Sequence, residues 1–150
     1  MSDFKTLNLT RTFNAPRAKV WEALTKPELF AEWYAPDMFT VPNCEIDARA
    51  GGHLKLDMQD PNGMLYPLAG TYKEVVEPER LSFVGTPLDA EGKPLFEMLQ
   101  TYELSEADGQ TTLTVTSELV SEPTPEAAPF LGGAEVGLNQ SLDKLVKLVG

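Results

Sequence analysis

The chain has little to make metal or disulfide chemistry with: Cys44 is the only cysteine and His53 the only histidine in 150 residues. One cysteine excludes an internal disulfide and a thiolate metal cluster, and fits a reducing compartment with Cys44 as a buried filler. No pair of histidines, glycine-rich dinucleotide fingerprint or phosphate-binding loop is present, and no acidic cluster stands in for them, so neither a cofactor nor a metal site is expected. Basic residues are also scarce, 12 against 23 acidic, leaving a net charge of −11. That balance repels phosphate backbones and anionic headgroups, so neither nucleic acid nor a membrane surface is an expected partner. No apolar run approaches the roughly 18 residues of a membrane span, and the opening MSDFKTLNLTRTF lacks a basic-then-apolar leader, which places the expectation in the cytosol.

What is present reads as one globular domain over residues 1–150, with ordinary hydrophobic content and a length sufficient for a core without staples. Phe4 to Phe13 mixes β-branched and apolar residues with polar ones and predicts a strand. Asn14 and Pro16 then suit a helix start, with Val20, Trp21 and Leu24 on its apolar face; Trp21 there fits core, dimer contact or lid. Thr25 followed by Glu28 three residues on has capping-box spacing and predicts a second short helix carrying Leu29, Phe30 and Trp33, ended by Pro36.

The middle of the chain predicts strands over Val41–Arg49, His53–Gln59, Leu65–Val76, Arg80–Thr86, Leu95–Ser105 and Thr111–Val120, seven with the first. Gly51-Gly52 reads as a two-residue hairpin turn. Pro87 to Pro94 is a longer polar loop able to move over a cavity mouth. After a proline-rich connector, Leu131, Ala134, Leu138, Leu142, Leu145 and Val149 keep helical spacing, with Lys144 and Lys147 read as solvated charges at the negative helix end. Gly132, Gly133 and Gly137 are costly in a helix interior, so the helix is expected to begin near Ala134 or to stay loose there. The order is α+β: an antiparallel sheet that must curl around the long helix, with a two-helix clasp after its first strand.

Four stretches, RTFNAPRAKVWEALTKPELFAEWYAP, ARAGGHLKLDM, GTYKEVVEPERLSF and GLNQSLDKLVKLV, together resemble the START-like SRPBCC superfamily, in its heat-shock protein 90 ATPase activator homologue branch. The resemblance runs over nearly the whole chain. It implies a helix-grip fold, a seven-stranded curved antiparallel sheet around a long C-terminal helix with an elongated cavity between them.

Strand parity places Leu54, Leu56 and Met58; Tyr66, Gly70 and Tyr72; Leu81 and Phe83; and Phe96, Met98, Gln100 and Tyr102 on faces turned toward the helix. The ligand-lining set expected from these and from the helices is Trp33, Leu54, Leu56, Met58, Tyr66, Tyr72, Phe83, Met98, Gln100, Tyr102, Leu138 and Leu142. Any one of them serves a plain core equally well, but inward tyrosines and Gln100 need polar partners that an apolar core does not supply. His53 has the pKa of a general acid or base, yet its parity with Lys55 and Asp57 puts it on the wet face. The leading expectation is therefore non-catalytic binding of a small apolar or aromatic molecule. Two alternatives follow from the resemblance: a chaperone co-regulator, and a cyclase- or hydrolase-like enzyme using the same cavity, for which Glu74, Glu97 or His53 would have to face inward. Whether a reaction is catalysed stays open, and so does a homodimer, since an exposed apolar patch serves either purpose.

Overall fold

The computed structural model describes residues 6–89, 91–121 and 134–149. Strand β1 (Thr6–Phe13) leads into helices α1 (Arg17–Thr25) and α2 (Pro27–Trp33). Strands β2 (Thr40–Ile46), β3 (His53–Gln59), β4 (Leu65–Val76), β5 (Arg80–Pro87), β6 (Met98–Ala107) and β7 (Gln110–Leu119) follow, and helix α3 (Ala134–Val149) comes last. All seven strands form one antiparallel sheet in the order β1-β7-β6-β5-β4-β3-β2. Consecutive strands pair as hairpins from β2 to β7, and only β1 crosses to a distant partner, because the α1–α2 clasp intervenes between it and β2. Phe4 and the glycines Gly132 and Gly133 lie outside the described residues.

Register aligns the inward side chains across the sheet. Leu54 faces Gly70, Leu56 faces Leu68 and Met58 faces Tyr66; Tyr72 faces Phe83; Phe83 faces Gln100 and Leu81 faces Tyr102; Tyr102 faces Val115 and Gln100 faces Ser117. Parity thus holds across five strands, and the resulting concave face meets the clasp and α3. Trp21, Leu24, Phe30, Trp33, Leu142 and Leu145 are buried against it, each worth roughly 1.5–3 kcal/mol of transfer free energy for a large apolar side chain. Trp21 is a core residue.

Several local expectations are corrected. Thr25 does not cap α2: its Oγ1 donates to the Trp21 carbonyl at 2.8 Å, and Lys26 occupies the cap position without a side-chain bond. Threonine bonds back into the helix it ends, which competes with capping the next one. Asn14 does not cap α1 either; its Oδ1 accepts from Gln110 Nε2 at 2.6 Å, while Glu106 on β6 accepts from the Arg17 amide at 3.0 Å. The β2–β3 connection is not a two-residue turn but residues 47–52, closed by the Asp47 amide donating to the His53 carbonyl at 2.8 Å. Gly51 alone takes positive φ there, +82°. Gly52 is required for a different reason: a Cβ would sit 2.0 Å from the Asp47 carbonyl oxygen. Strand β6 begins at Met98, not Leu95; Leu95 and Phe96 leave the ladder to pack with Met98 and Leu119 in a small second cluster.

Helix α3 is stitched along two sides. Toward the clasp, Ser141 Oγ donates to the Tyr34 carbonyl at 2.9 Å, Gln140 accepts from the Asp37 amide at 3.0 Å, and Lys144 Nζ reaches the Pro36 carbonyl at 3.4 Å. Lys144 is therefore not a free solvated charge, and partial burial lowers its pKa. Toward the sheet, Arg11 on β1 donates to Asn139 at 2.7 Å and to Asp143 at 3.2 Å. The helix approaches α2, β1 and α1, and this suspension from the sides leaves side-chain space over the middle strands.

Candidate functional site

That space is a cavity of about 210 Å³, partly open to solvent. Its floor is the concave face near one end of the sheet: Leu7 of β1, Ser117 of β7, Met98 and Gln100 of β6, Gly85 and Pro87 of β5, Leu68 of β4 and Met58 of β3. Its roof is Tyr34 and Pro36 after α2, and Gly137, Leu138 and Ser141 of α3; Phe96 closes one side. Two of its lining glycines have little room for a side chain. At Gly85 a Cβ would meet the Phe83 ring at 3.3 Å and Leu68 at 3.7 Å, and at Gly137 it would meet Pro36 Cγ at 3.2 Å. Glycine inside a helix costs about 1 kcal/mol against alanine, so Gly137 trades helix stability for the close approach of α3 to the 34–37 turn.

Of the residues expected to line a site, Met58, Met98, Gln100 and Leu138 meet at this cavity. The remainder are placed elsewhere. Trp33, Leu54, Leu56, Tyr72, Phe83, Tyr102 and Leu142 are at most 1% exposed and fill the inner half of the concave face. There the clasp plugs the sheet: Trp33 donates its indole Nε1–H to the Ala23 carbonyl at 2.8 Å and sets its ring edge-on to Tyr102 at 6.5 Å, while Tyr102 stacks on Phe83 at 6.0 Å. Tyr66 is not among the described lining residues; it donates to Asp60 at 3.0 Å with its ring beside Phe39. Phe96, expected on the helix-facing side, and Pro87, at the start of the loop expected over the mouth, also line it, and the lining residues not anticipated are Leu7, Tyr34, Pro36, Leu68, Gly85, Ser117, Gly137 and Ser141. Tyr34 was legible in principle, since it lies four residues after Phe30 and stacks on it at 4.5 Å. The glycines and prolines shape the site by what they omit, and sequence periodicity does not register that.

The polar character of this region is unusual for its burial. Gln100 Oε1 and the hydroxyls of Tyr72 and Tyr102 are buried without a hydrogen-bond partner among the described residues. Burial, and then the repulsion of neighbouring ionisable groups, pushes the phenols of Tyr34, Tyr72 and Tyr102 well above their ordinary pKa. Burial does the same for the Cys44 thiol, which rises to about 11, with Glu28 and Glu45 adding to it. All four are neutral at physiological pH. The charged residues weighed for catalysis lie outward: His53 is exposed and 3.8 Å from Glu45, Glu74 pairs with Arg80 at 2.6 Å, and Glu97 is exposed. No Asp, Glu, His, Lys or Arg is among the described residues lining the cavity, no group of metal-binding side chains occurs among the described residues, and no described helix is long and apolar enough to cross a membrane.

Residues 14–150 match the family described as activator of Hsp90 ATPase homolog 1-like protein. The chain is similar in structure to a Nitrosomonas europaea protein, with 27% identity, 99% of this chain and 96% of that one covered, and a TM-score of 0.80. A Chromobacterium violaceum protein shows 29% identity over 97% and 96% of the two chains with a TM-score of 0.79, and a Staphylococcus epidermidis protein 29% over 99% and 92% with 0.78. No functionally curated protein matches it. With the helix-grip arrangement of sheet, clasp and long helix in place, and a family match across most of its length, the chain belongs to the activator of Hsp90 ATPase homolog 1-like family, of START-like fold.

Proposed function

We propose that this protein binds a small apolar or aromatic molecule between the concave sheet face and α3, without transforming it. The observation that carries the reading is an apolar cavity, about 210 Å³ in volume, with Gln100, whose Oε1 is buried and unpaired, among its lining residues. A buried acceptor left without a donor costs roughly 1–3 kcal/mol, and a ligand hydroxyl or amide entering the cavity recovers that cost. Gly85 and Gly137 line the same cavity, and a Cβ at either would crowd its wall, against Phe83 and Leu68 at Gly85 and against Pro36 at Gly137. Proton-transfer chemistry has no carboxylate or imidazole to draw on among the described lining residues, which favours a binder over an enzyme. The charge of −11 and the lone cysteine support a cytosolic protein whose partners are neither nucleic acid nor anionic lipid.

The test is native mass spectrometry of protein isolated from its own source, followed by thermal denaturation with a panel of small apolar and aromatic compounds. A ligand selective for the folded state stabilises it by mass action, by about 2.7 kcal/mol at a hundred times its dissociation constant, and so raises the melting temperature. No retained mass and no stabilisation across the panel would remove the reading. A second reading, regulation of a chaperone, is supported by the description of the family. Retention of a purified Hsp90-type chaperone on the immobilised protein, with a change in its ATPase rate, is what that reading requires.

A further inference from the structure

The walls of the cavity constrain the chemistry of its occupant. We infer that the occupant is a neutral, single-ring molecule bearing one hydroxyl-type group, its ring held by Met58, Leu68, Met98 and Leu138 and its hydroxyl by Gln100. This inference rests on the binding reading above and narrows it.

Size sets the first limit. A cavity of about 150 Å³ suffices for benzene, so the roughly 210 Å³ beneath α3 holds one ring with one or two small substituents, and anything longer extends into solvent through the open side. The limit is firm on the sheet side because Gly85 already lies against Phe83 and Leu68, the two side chains that a Cβ there would touch. Charge sets the second. No ionic side chain is among the described lining residues, and the nearby cations are engaged: Lys144 points to the Pro36 carbonyl and Arg11 is held by Asn139 and Asp143. An anion or cation entering there would be desolvated without a counter-charge, which costs far more than a neutral polar group. Hydrogen bonding sets the third. Gln100 Oε1 is buried and unpaired, on β6 opposite Ser117 of β7, so the polar contact lies on the sheet side, with Met58 of β3 on the same floor and Leu138 of α3 across from it on the roof. A hydroxyl both donates to the amide oxygen and accepts from an amide N–H, so it fits whichever end of the Gln100 side chain is presented.

The experiment is a set of calorimetric or NMR titrations of the purified protein with p-cresol, toluene, 4-methylbenzoate and 4-methylbenzylammonium, which share a ring and methyl group and differ in polar end. Expected are saturable binding of p-cresol, about ten-fold weaker binding of toluene for the loss of one hydrogen bond, and binding of either ion weaker by about a hundred-fold or more. Gln100→Leu should bring p-cresol to the affinity of toluene, and Gly85→Ala should weaken both. Equal affinity for an ion and for p-cresol would overturn the neutral class. An unchanged preference for p-cresol in Gln100→Leu would overturn the anchor. Dodecanol separates the two levels of failure: its binding while all ring compounds fail overturns this inference and leaves the binding reading standing, whereas failure of every probe removes both.

Discussion

Tyr102 lies at the centre of the molecule with no exposed surface and an unpaired hydroxyl, an arrangement that normally costs stability. Removing that oxygen should therefore be neutral or stabilising. Tyr102→Phe and Tyr72→Phe are expected to unfold at the same or higher denaturant concentration, by up to about 1–2 kcal/mol, against the loss usual when a hydrogen-bonded buried tyrosine is truncated. A clear loss in urea titrations would mean that both hydroxyls are satisfied. Residue by residue, the sequence was informative about direction. Alternation put Met58, Gln100 and Tyr102 on the inward face, where register aligns them, and put His53 on the outward one. It was silent about depth, because parity distinguishes two faces of a strand and not the two ends of a face.

Among the elements, α3 has the most to lose from a single change. Its sheet-side attachment is Arg11, whose guanidinium reaches both Asn139 and Asp143 from β1 and is only 22% exposed. Arg11→Ala is expected to destabilise the protein by about 1–2 kcal/mol, more than a solvent-exposed ion pair contributes. Asp143→Ala should cost less, since Asp143 is 65% exposed and leaves the Asn139 bond intact. Chemical denaturation of the two variants side by side checks the order. The elements themselves were nearly all legible, because strand alternation, turn residues and the apolar stripe of α3 are local signals. Their caps were not. Glu106 caps α1 from a strand 89 residues away, a partner that no local pattern at Asn14 reveals, while Thr25 turns back to the Trp21 carbonyl of its own helix.

Across the whole molecule, the groups raised by burial couple folding to pH. Cys44 ionises near its ordinary value of 9.0 when unfolded and near 11 when folded, and Tyr34, Tyr72 and Tyr102 shift in the same direction from 10.0. The unfolded chain thus loses protons first as pH rises, and the contribution of these groups to stability, whole below about pH 9, declines from there upward. Urea unfolding at pH 8, 9.5 and 10.5 should show a falling free energy, with the earliest part of the fall reduced in Cys44→Ala. A flat profile would mean that the thiol and phenols are hydrated in the fold. The same burial separates what each level of organisation decided. The amino-acid sequence by itself determined the seven strands, the clasp, the long helix and the sheet face that turns inward, because each follows from short-range periodicity and turn chemistry. Only the tertiary structure decided where along that face a cavity remains: the clasp aromatics fill one end, and at the other, where Gly85 and Gly137 are among the lining residues, the suspension of α3 from β1 and the 34–37 turn leaves space.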